Sequence, residues 1–245
     1  MRNSLLKEAA EPSFVAPPQI HFSTLEPAPL ETIFSTVPVR TQQPLAKEGN
    51  HLLKRAVDLF LSSILILVLF PWLLPLVALL IKLDSKGPVF FIQKRNKRDG
   101  GIFSCIKFRS MLVNKQADFL PATENDERIT SVGKFLRQHH LDELPQLLNV
   151  WMGDMSMIGP RPHMISDNHR FETLVPHYHH RHKVKPGITG LAQVLGYAGP
   201  VTSVDNIRER VEKDIYYVYN WSITLDTKIA CRTLLKMAGL KQNLR

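Results

Sequence analysis

Cysteine is nearly absent from this chain: two occur in 245 residues, Cys105 and Cys231, far apart and outside any paired metal spacing. That excludes a disulfide-stapled scaffold and suits a reducing, cytosol-facing environment. Acidic residues are also in deficit, 22 Asp and Glu against 31 Lys and Arg. The resulting net charge of +9 points to an anionic partner: nucleic acid, an acidic membrane surface or phosphorylated small molecules. No internal repeat is visible. No secretory signal is expected, because no short apolar core with a small-residue cleavage site follows Met1 and Arg2. Long hydrophobic runs are equally scarce. A single one occurs, which allows one membrane element and excludes a multi-span transporter.

That run is Leu59 to Ile81, and it contains no charge. As a helix rising ~1.5 Å per residue it just crosses a hydrocarbon core of ~30 Å. Pro71 stands near its centre and Pro75 one turn later, so a break or kink is expected there. Both flanks are basic, with Lys54 and Arg55 before and Lys82, Lys86, Lys94, Arg95, Lys97 and Arg98 after. The bias of basic residues toward the cytoplasm then puts both ends on one side of the bilayer. A proline-broken re-entrant hairpin over residues 51–84 satisfies both facts, its freed backbone groups finding partners between the halves or at the interface. An ordinary kinked span is the alternative. Upstream, residues 1–50 carry Pro12, Pro17, Pro18, Pro27, Pro29, Pro38 and Pro44 without a useful apolar period, and predict a disordered extension.

Residues 85–245 predict a mixed α+β domain, mainly helical. Val89–Gln93 and Ile102–Phe108 are rich in β-formers and flank Asp99-Gly100-Gly101, a hairpin signal. At its exit Lys107 and Arg109 stand on alternate positions of one face, where they grip a phosphate or serve as solvated edge charges. Positions 117–130 are polar and loop-like, and Val132–His140 predicts a short basic helix with Lys134 and Arg137. His177, His180 and His182 invite a metal assignment, but lack the helical i, i+4 pattern with its glutamate. Arg181, Lys183 and Lys185 add repelling charge there. The glycines between Lys185 and Pro200 make turns or admit a ligand against the backbone. Asp205–Asn220 predicts a helix with an acidic and basic outer face, followed by a second at Ile223–Leu240. Tyr216, Tyr217, Tyr219 and Trp221 beside them suit either lipid headgroups or the core.

Everything else is organised around Leu141–Trp151. Asp142 and Glu143 stand side by side, followed by Leu144, Leu147, Leu148 and Trp151 at the spacing of one buried helix face. Asp142 suits the N-cap and Pro145 the first turn. The acids then lie where amide N–H groups and the positive end of the helix dipole gather anions or metal-bound phosphates. Equally, they are only a cap and a favourable first-turn charge. Farther on, Gly159-Pro160-Arg161-Pro162 cages one guanidinium between prolines and holds it at low entropic cost.

Taken in order, these segments resemble the bacterial sugar transferases, the monotopic phosphoglycosyl transferases that begin polysaccharide assembly. The matching residues are Lys54-Arg55, Asp58, the Pro71-broken run and Lys82, then Gly87-Pro88-Val89-Phe90-Phe91, Gln93, Arg95 and Lys107-Phe108-Arg109-Ser110-Met111. Asp126, Arg128-Ile129-Thr130, Gly133, Leu136-Arg137 and Leu141 to Gln146 follow. Asn149-Val150, Gly153 to Ser156, Gly159 to Pro162, Lys185 to Gly190 and Asp226 complete the set, so the resemblance covers roughly residues 52–240. Many relatives carry a serine before the central proline, where its side chain bonds freed backbone groups; here Phe70 stands there and Pro75 is an extra interruption.

The resemblance implies transfer of sugar-1-phosphate from a UDP-sugar to undecaprenyl phosphate, with release of the nucleoside monophosphate. It makes Asp142 the nucleophile, attacking the β-phosphate to form an aspartyl-phosphosugar that the lipid phosphate resolves. Glu143 assists, with Mg²⁺ held by Glu143 and Asp142. Lys107, Arg109, Arg137 and Arg161 supply the cations without which a carboxylate cannot attack an anionic phosphorus. It also implies a monotopic protein of the bacterial inner membrane, with interfacial helices and the catalytic domain facing the cytoplasm. The long relatives add membrane helices upstream. This chain looks like the short exopolysaccharide form, which tilts the donor toward a hexose such as glucose or galactose. The sugar stays open, as does the oligomeric state, a homodimer included; nucleic acid is not an expected partner of such an enzyme. The rival from another class is a non-catalytic, membrane-anchored basic module binding anionic lipid or nucleic acid, which leaves the acid pair and the caged arginine unexplained. A phosphatase would pass the phosphoryl group to water. A glycosidase needs carboxyl groups flanking a bond ~5–10 Å apart, which adjacency alone does not supply.

Overall fold

The computed structural model describes residues 43–114, 120, 122–123, 126–199, 201 and 203–239. The expected extension over residues 1–50 lies outside the described residues as far as position 42.

Helix α1, Glu48–Asp84, takes up the whole apolar stretch in 37 residues and is long and apolar enough to cross a membrane. Pro71 and Pro75 lie inside it without a non-helical residue between its ends, where the sequence predicts a break or kink. Both ends are fastened to the same body of protein. Near the start, Lys54, Asp58 and Ser62 are buried, and Arg55 donates to the carbonyls of Val150 and Trp151 at 2.6 and 2.7 Å. Near the other end, Val77 and Ile81 pack with Phe108 and Leu136, and Asp84 accepts from the Val132 N–H at 3.0 Å. Between them Phe60, Leu67, Val68, Trp72 and Leu76 are exposed.

Strands β1, Phe90–Asn96, and β2, Ile102–Phe108, form the expected antiparallel hairpin, joined through a short turn in which Asp99 and Gly100 take positive φ. Phe91 pairs with Lys107, Gln93 with Cys105 and Arg95 with Phe103, so these six residues share one face. Helix α2, Ser131–Gln138, is capped by the Thr130 side chain. It lies so close to the chain after β2 that a Cβ on Gly133 would stand 1.9 Å from the Ser110 carbonyl oxygen. Only glycine fits there.

Helix α3 spans Gln146–Met152 and is preceded by a 3-10 turn, Leu141–Glu143. Asp142 is therefore not the N-cap that its sequence position suggests; Pro145 holds that place, in helical conformation. The cause is visible in the amides: Glu143 and Leu144 donate to the His140 and Leu141 carbonyls, and Leu147 and Leu148 to those of Leu144 and Pro145. Those N–H groups are used within the turn. Trp151, expected on the buried face, is 54% exposed. The buried face instead carries Gln146, Leu147, Asn149 and Val150, because Asn149 acts as a substitute strand partner for β2. Its side chain accepts from the Ile106 N–H at 3.0 Å and donates to the Ser104 carbonyl at 2.8 Å.

Beyond α3, β3 (Ser156–Ile158) pairs in parallel with β4 (Gly187–Thr189). Helix α4 (Ile165–Leu174), a 3-10 segment at Tyr178–Lys183, α5 (Leu191–Val194), α6 (Val204–Asn220) and α7 (Ile223–Met237) complete the fold. The largest core gathers Ile207, Val211, Ile215 and Val218 of α6 with Phe171, Val175, Tyr178 and Ile229. Tyr217, Tyr219 and Trp221 belong to this core and not to a lipid face. The buried Asp226 carboxylate fixes two of them, accepting from the Tyr217 hydroxyl at 2.8 Å and the Trp221 indole at 3.0 Å.

Candidate active site

The acid pair sits in the turn between α2 and α3, entered through His140 at a φ of 56°. Asp142 is 9% exposed, and among the described residues none donates a hydrogen bond to its carboxylate. Burial pushes its pKa up and the neighbouring Glu143 charge adds to this, while Lys107, Arg137 and Arg161 offset part of the rise. A poorly hydrated carboxylate without donors is a better nucleophile than a solvated one.

Glu143 is in the opposite state. Lys107 reaches its Oε1 at 2.7 Å, and Arg161 grips both oxygens, with Nη1 to Oε2 at 2.9 Å and Nη2 to Oε1. Burial alone would raise its pKa, but the charges and hydrogen bonds of Arg161 and Lys107 outweigh it and hold the carboxyl well below the usual range. Two adjacent acids with pKa values driven apart are suited to different duties.

Of the other expected cations, Arg137 lies beside the pair. It donates to Ser110 Oγ at 2.9 Å and its charge acts on Asp142. Arg109 does not join them. Its guanidinium donates to the carbonyls of Ser85, Lys86 and Pro88 at 2.6–2.8 Å, latching the exit of α1 to the hairpin. Lys107 is within β2, whereas Arg109 lies past its end, so alternation no longer puts them to one use.

Several residues of the site carry no local signal. Arg95 donates to the Pro162 carbonyl at 3.0 Å and to Gln93, tying the hairpin to the proline-caged arginine. Arg181 Nη2 holds the Arg161 carbonyl oxygen at 2.6 Å, and Arg181 is itself bound by Asp214 through Nε at 3.0 Å and Nη2 at 2.7 Å. Arg210, one helical turn before Asp214, is 6% exposed; it donates from Nη2 to the Gly199 carbonyl, and its buried Nε has no partner among the described residues. The sequence places these α6 charges on an outer face, yet Arg210 and Asp214 point inward. The only hint is an i, i+4 pair of opposite charge flanking the apolar Val211 and Ile215.

The pH dependence of activity follows from Asp142. Protonation removes its nucleophilic form, so the acid limb of the rate profile should lie above the ordinary aspartate value of about 3.9. Arg137→Gln removes a charge that lowers this pKa and should move the limb to higher pH, read from kcat/KM across a pH series. An unmoved limb would mean that another group controls it.

A buried, donor-free aspartate beside a clamped glutamate, at the foot of an apolar helix, is a site suited to phosphorylated substrates at a membrane surface. The chain belongs to the bacterial sugar transferase family, whose model matches residues 49–239. It is 47% identical over 188 residues to the UDP-glucose:undecaprenyl-phosphate glucose-1-phosphate transferase of Klebsiella pneumoniae, covering 76% of this chain and 40% of that relative. It is also 47% identical over 188 residues to the exopolysaccharide production protein PSS of Rhizobium leguminosarum bv. phaseoli, covering 75% of this chain and 94% of the relative. A third relative, the UDP-N-acetylgalactosamine-undecaprenyl-phosphate N-acetylgalactosaminephosphotransferase of Aeromonas hydrophila, is 43% identical over 186 residues, or 74% of this chain and 43% of its own length. The chain thus spans about two fifths of the first and third relatives.

Proposed function

We propose that this protein transfers a hexose-1-phosphate from a UDP-hexose to undecaprenyl phosphate, the initiating step of exopolysaccharide or surface-glycan assembly. The observation that carries this is the contrast within the acid pair: Asp142 buried and free of donors, Glu143 clamped by Lys107 and Arg161. An Asp142 oxygen attacks the β-phosphorus of the donor. The bond from that phosphorus to the bridging oxygen breaks, and UMP leaves. A phosphate oxygen of the lipid then attacks the same phosphorus, freeing Asp142 and giving the polyprenyl diphospho-sugar. Arg161, its backbone pinned by Arg181, and Lys107 neutralise charge on the donor phosphates as they gather. Arg210, buried without a carboxylate of its own, suits a second phosphate contact.

Mg²⁺ fits this donor set: Asp142 offers an unbonded carboxylate and Glu143 an anionic one, and Mg²⁺ favours one or two carboxylates completed by substrate phosphate oxygens. Bound there, it would neutralise diphosphate charge. Glu143 Oε2 accepts from Arg161 alone and keeps a lone pair, so it and Asp142 would hold the metal, with donor phosphate oxygens completing its shell.

For residues 51–84 the re-entrant arrangement is favoured, because both ends of α1 are held on one domain while the middle, with both prolines, is exposed. A straight crossing would carry one end to the far side of the bilayer. Residues 85–245 then form a catalytic domain on the cytoplasmic face of the inner membrane, where nucleotide sugars are found. The Klebsiella and Rhizobium relatives, by name, support glucose and exopolysaccharide, and the Aeromonas relative supports an N-acetylated sugar instead.

The test is UMP release by nanodisc-embedded protein given Mg²⁺, undecaprenyl phosphate and each of several UDP-sugars. UMP formed with one hexose and dependent on the lipid is the expected result. Release with UDP-N-acetylgalactosamine alone would replace the donor, and no release with any donor from folded protein would favour the lipid-binding module.

A further inference from the structure

At the base of α1 a cavity of about 30 Å³ opens to solvent, walled by His51, Lys54, Arg55, Arg98, Lys183 and Lys185, with Asp58 as its carboxylate. Asp58 is already engaged: it accepts from Ser156 Oγ and the Met157 N–H at 3.0 Å each, and lies 3.6 Å from Lys54 Nζ. Lys54 in turn is bound to Asp226 at 2.8 Å. The remaining cations are held mostly by neutral groups. Arg55 donates to two backbone carbonyls and Lys183 to the Tyr219 hydroxyl at 3.0 Å, while Lys185 makes no hydrogen bond to a described residue. Among the described residues the Arg98 side chain meets His51 and Asp99, whose side chain is 74% exposed. Arg55 and Lys185 come close together: a Cβ on Gly153 would stand 3.5 Å from Arg55 Nη2 and 3.6 Å from Lys185 Nζ. Burial, then the charges of Arg55 and Arg98, push the Lys185 pKa down, with Asp58 and Asp154 offsetting part of this; Asp154 is bound to Lys97.

Cations gathered around a cavity whose described carboxylate is already engaged repel one another until an anion arrives. The size of the cavity selects the anion. A water needs ~10–15 Å³, so the enclosed part has room for a compact anionic group such as one tetrahedral phosphate, with the rest of its molecule outside the mouth. Its position selects the source. Leu52, Leu53 and Phe60, 60%, 47% and 66% exposed, carry apolar surface of α1 on both sides of Arg55, and Trp151, more than half exposed, offers its carbonyl to the Arg55 guanidinium, with Met152 next in the chain. The mouth therefore opens where headgroups would lie.

We propose that this pocket binds the phosphate of a resident anionic phospholipid, separate from the lipid that reacts. The separation follows from α3, whose seven residues span ~10 Å between the acid pair at one end and the Arg55 contacts at the other. A phosphate seated here is out of reach of Asp142. The site goes beyond the transfer reaction and does not depend on it.

Full-chain protein in mild detergent would be given phosphatidylglycerol or phosphatidylcholine at equal load, and retained lipid counted by native mass spectrometry. Selective retention of phosphatidylglycerol is expected, cut at least tenfold in Lys185→Gln/Arg98→Gln and kept in the charge-matched control Lys134→Gln/Lys228→Gln. Lys185→Arg, which keeps the charge, should retain the lipid and guards against a folding defect in the glutamine variant. Inorganic phosphate added at constant ionic strength should displace the lipid. Equal loss in the two double variants would mean diffuse surface attraction and overturn the pocket. Phosphate binding by delipidated protein that retains no phosphatidylglycerol would assign the pocket to a soluble anion and overturn the lipid. Retention is read without catalysis, so failure here and failure of the transferase reading are separate results.

Discussion

Asp142→Asn should lower UMP release by a factor on the order of 10³ or more, the scale of removing a nucleophile from a covalent mechanism. Asparagine keeps the shape of the side chain and removes the charge and lone-pair reactivity. Intact mass should report the same loss directly: wild type given UDP-hexose without lipid gains one hexose phosphate, and the variant gains none. Stability should move the other way. Burial raises the Asp142 pKa, so its folded-state cost is absent below the unfolded value and grows as pH rises through the folded one. At neutral pH the carboxylate is held at a cost that the neutral amide does not incur, and Asp142→Asn should melt no lower than wild type. An adduct that persists in the variant would move the nucleophile to Glu143, and a melting point well below wild type would show that Asp142 is a structural acid.

What the sequence made legible was local. The hairpin could be read because β-formers flank Asp99-Gly100-Gly101, and a tight turn needs nothing from elsewhere in the chain. The acid pair and the proline-caged Arg161 announced themselves because residue type and neighbour are the whole signal. Where a side chain's duty depends on partners far along the chain, the sequence misled. Arg109 looks like a second phosphate ligand, yet three carbonyls of a preceding turn take its guanidinium. Arg210 and Asp214 look solvated because charges on an amphipathic helix usually are; Asp214 is buried against Arg181, some 30 residues upstream in a run of histidines, and Arg210 against the Gly199 carbonyl. Trp151 completes an apolar period that the helix ends too soon to bury, since Asn149 turns α3 toward β2.

Arg181 and Asp214 carry the second large effect, and it should separate folding from chemistry. Their side chains are 1% and 2% exposed, and Arg181 spans from Asp214 to the Arg161 carbonyl. Asp214→Ala would leave the buried Arg181 guanidinium without its carboxylate and remove the nearby negative charge that acts on Arg210. Removing one partner of a buried pair costs about 3–5 kcal/mol, because the other charge remains in a medium that solvates it poorly. For a domain of this size each kcal/mol is worth about 2–4 °C, so the thermal midpoint at fixed scan rate should fall by about 6–20 °C. Arg161→Gln should behave differently. Its side chain is 34% exposed, and Lys107 still neutralises Glu143, so the midpoint should barely move. Activity should nevertheless drop about 10²- to 10³-fold, the usual loss when one preorganised charge is removed from a developing anion. A large fall in midpoint for Arg161→Gln would make its pair with Glu143 a structural clamp. An unchanged midpoint for Asp214→Ala would mean that water already solvates Arg181 and that the buried pair is not a stability determinant.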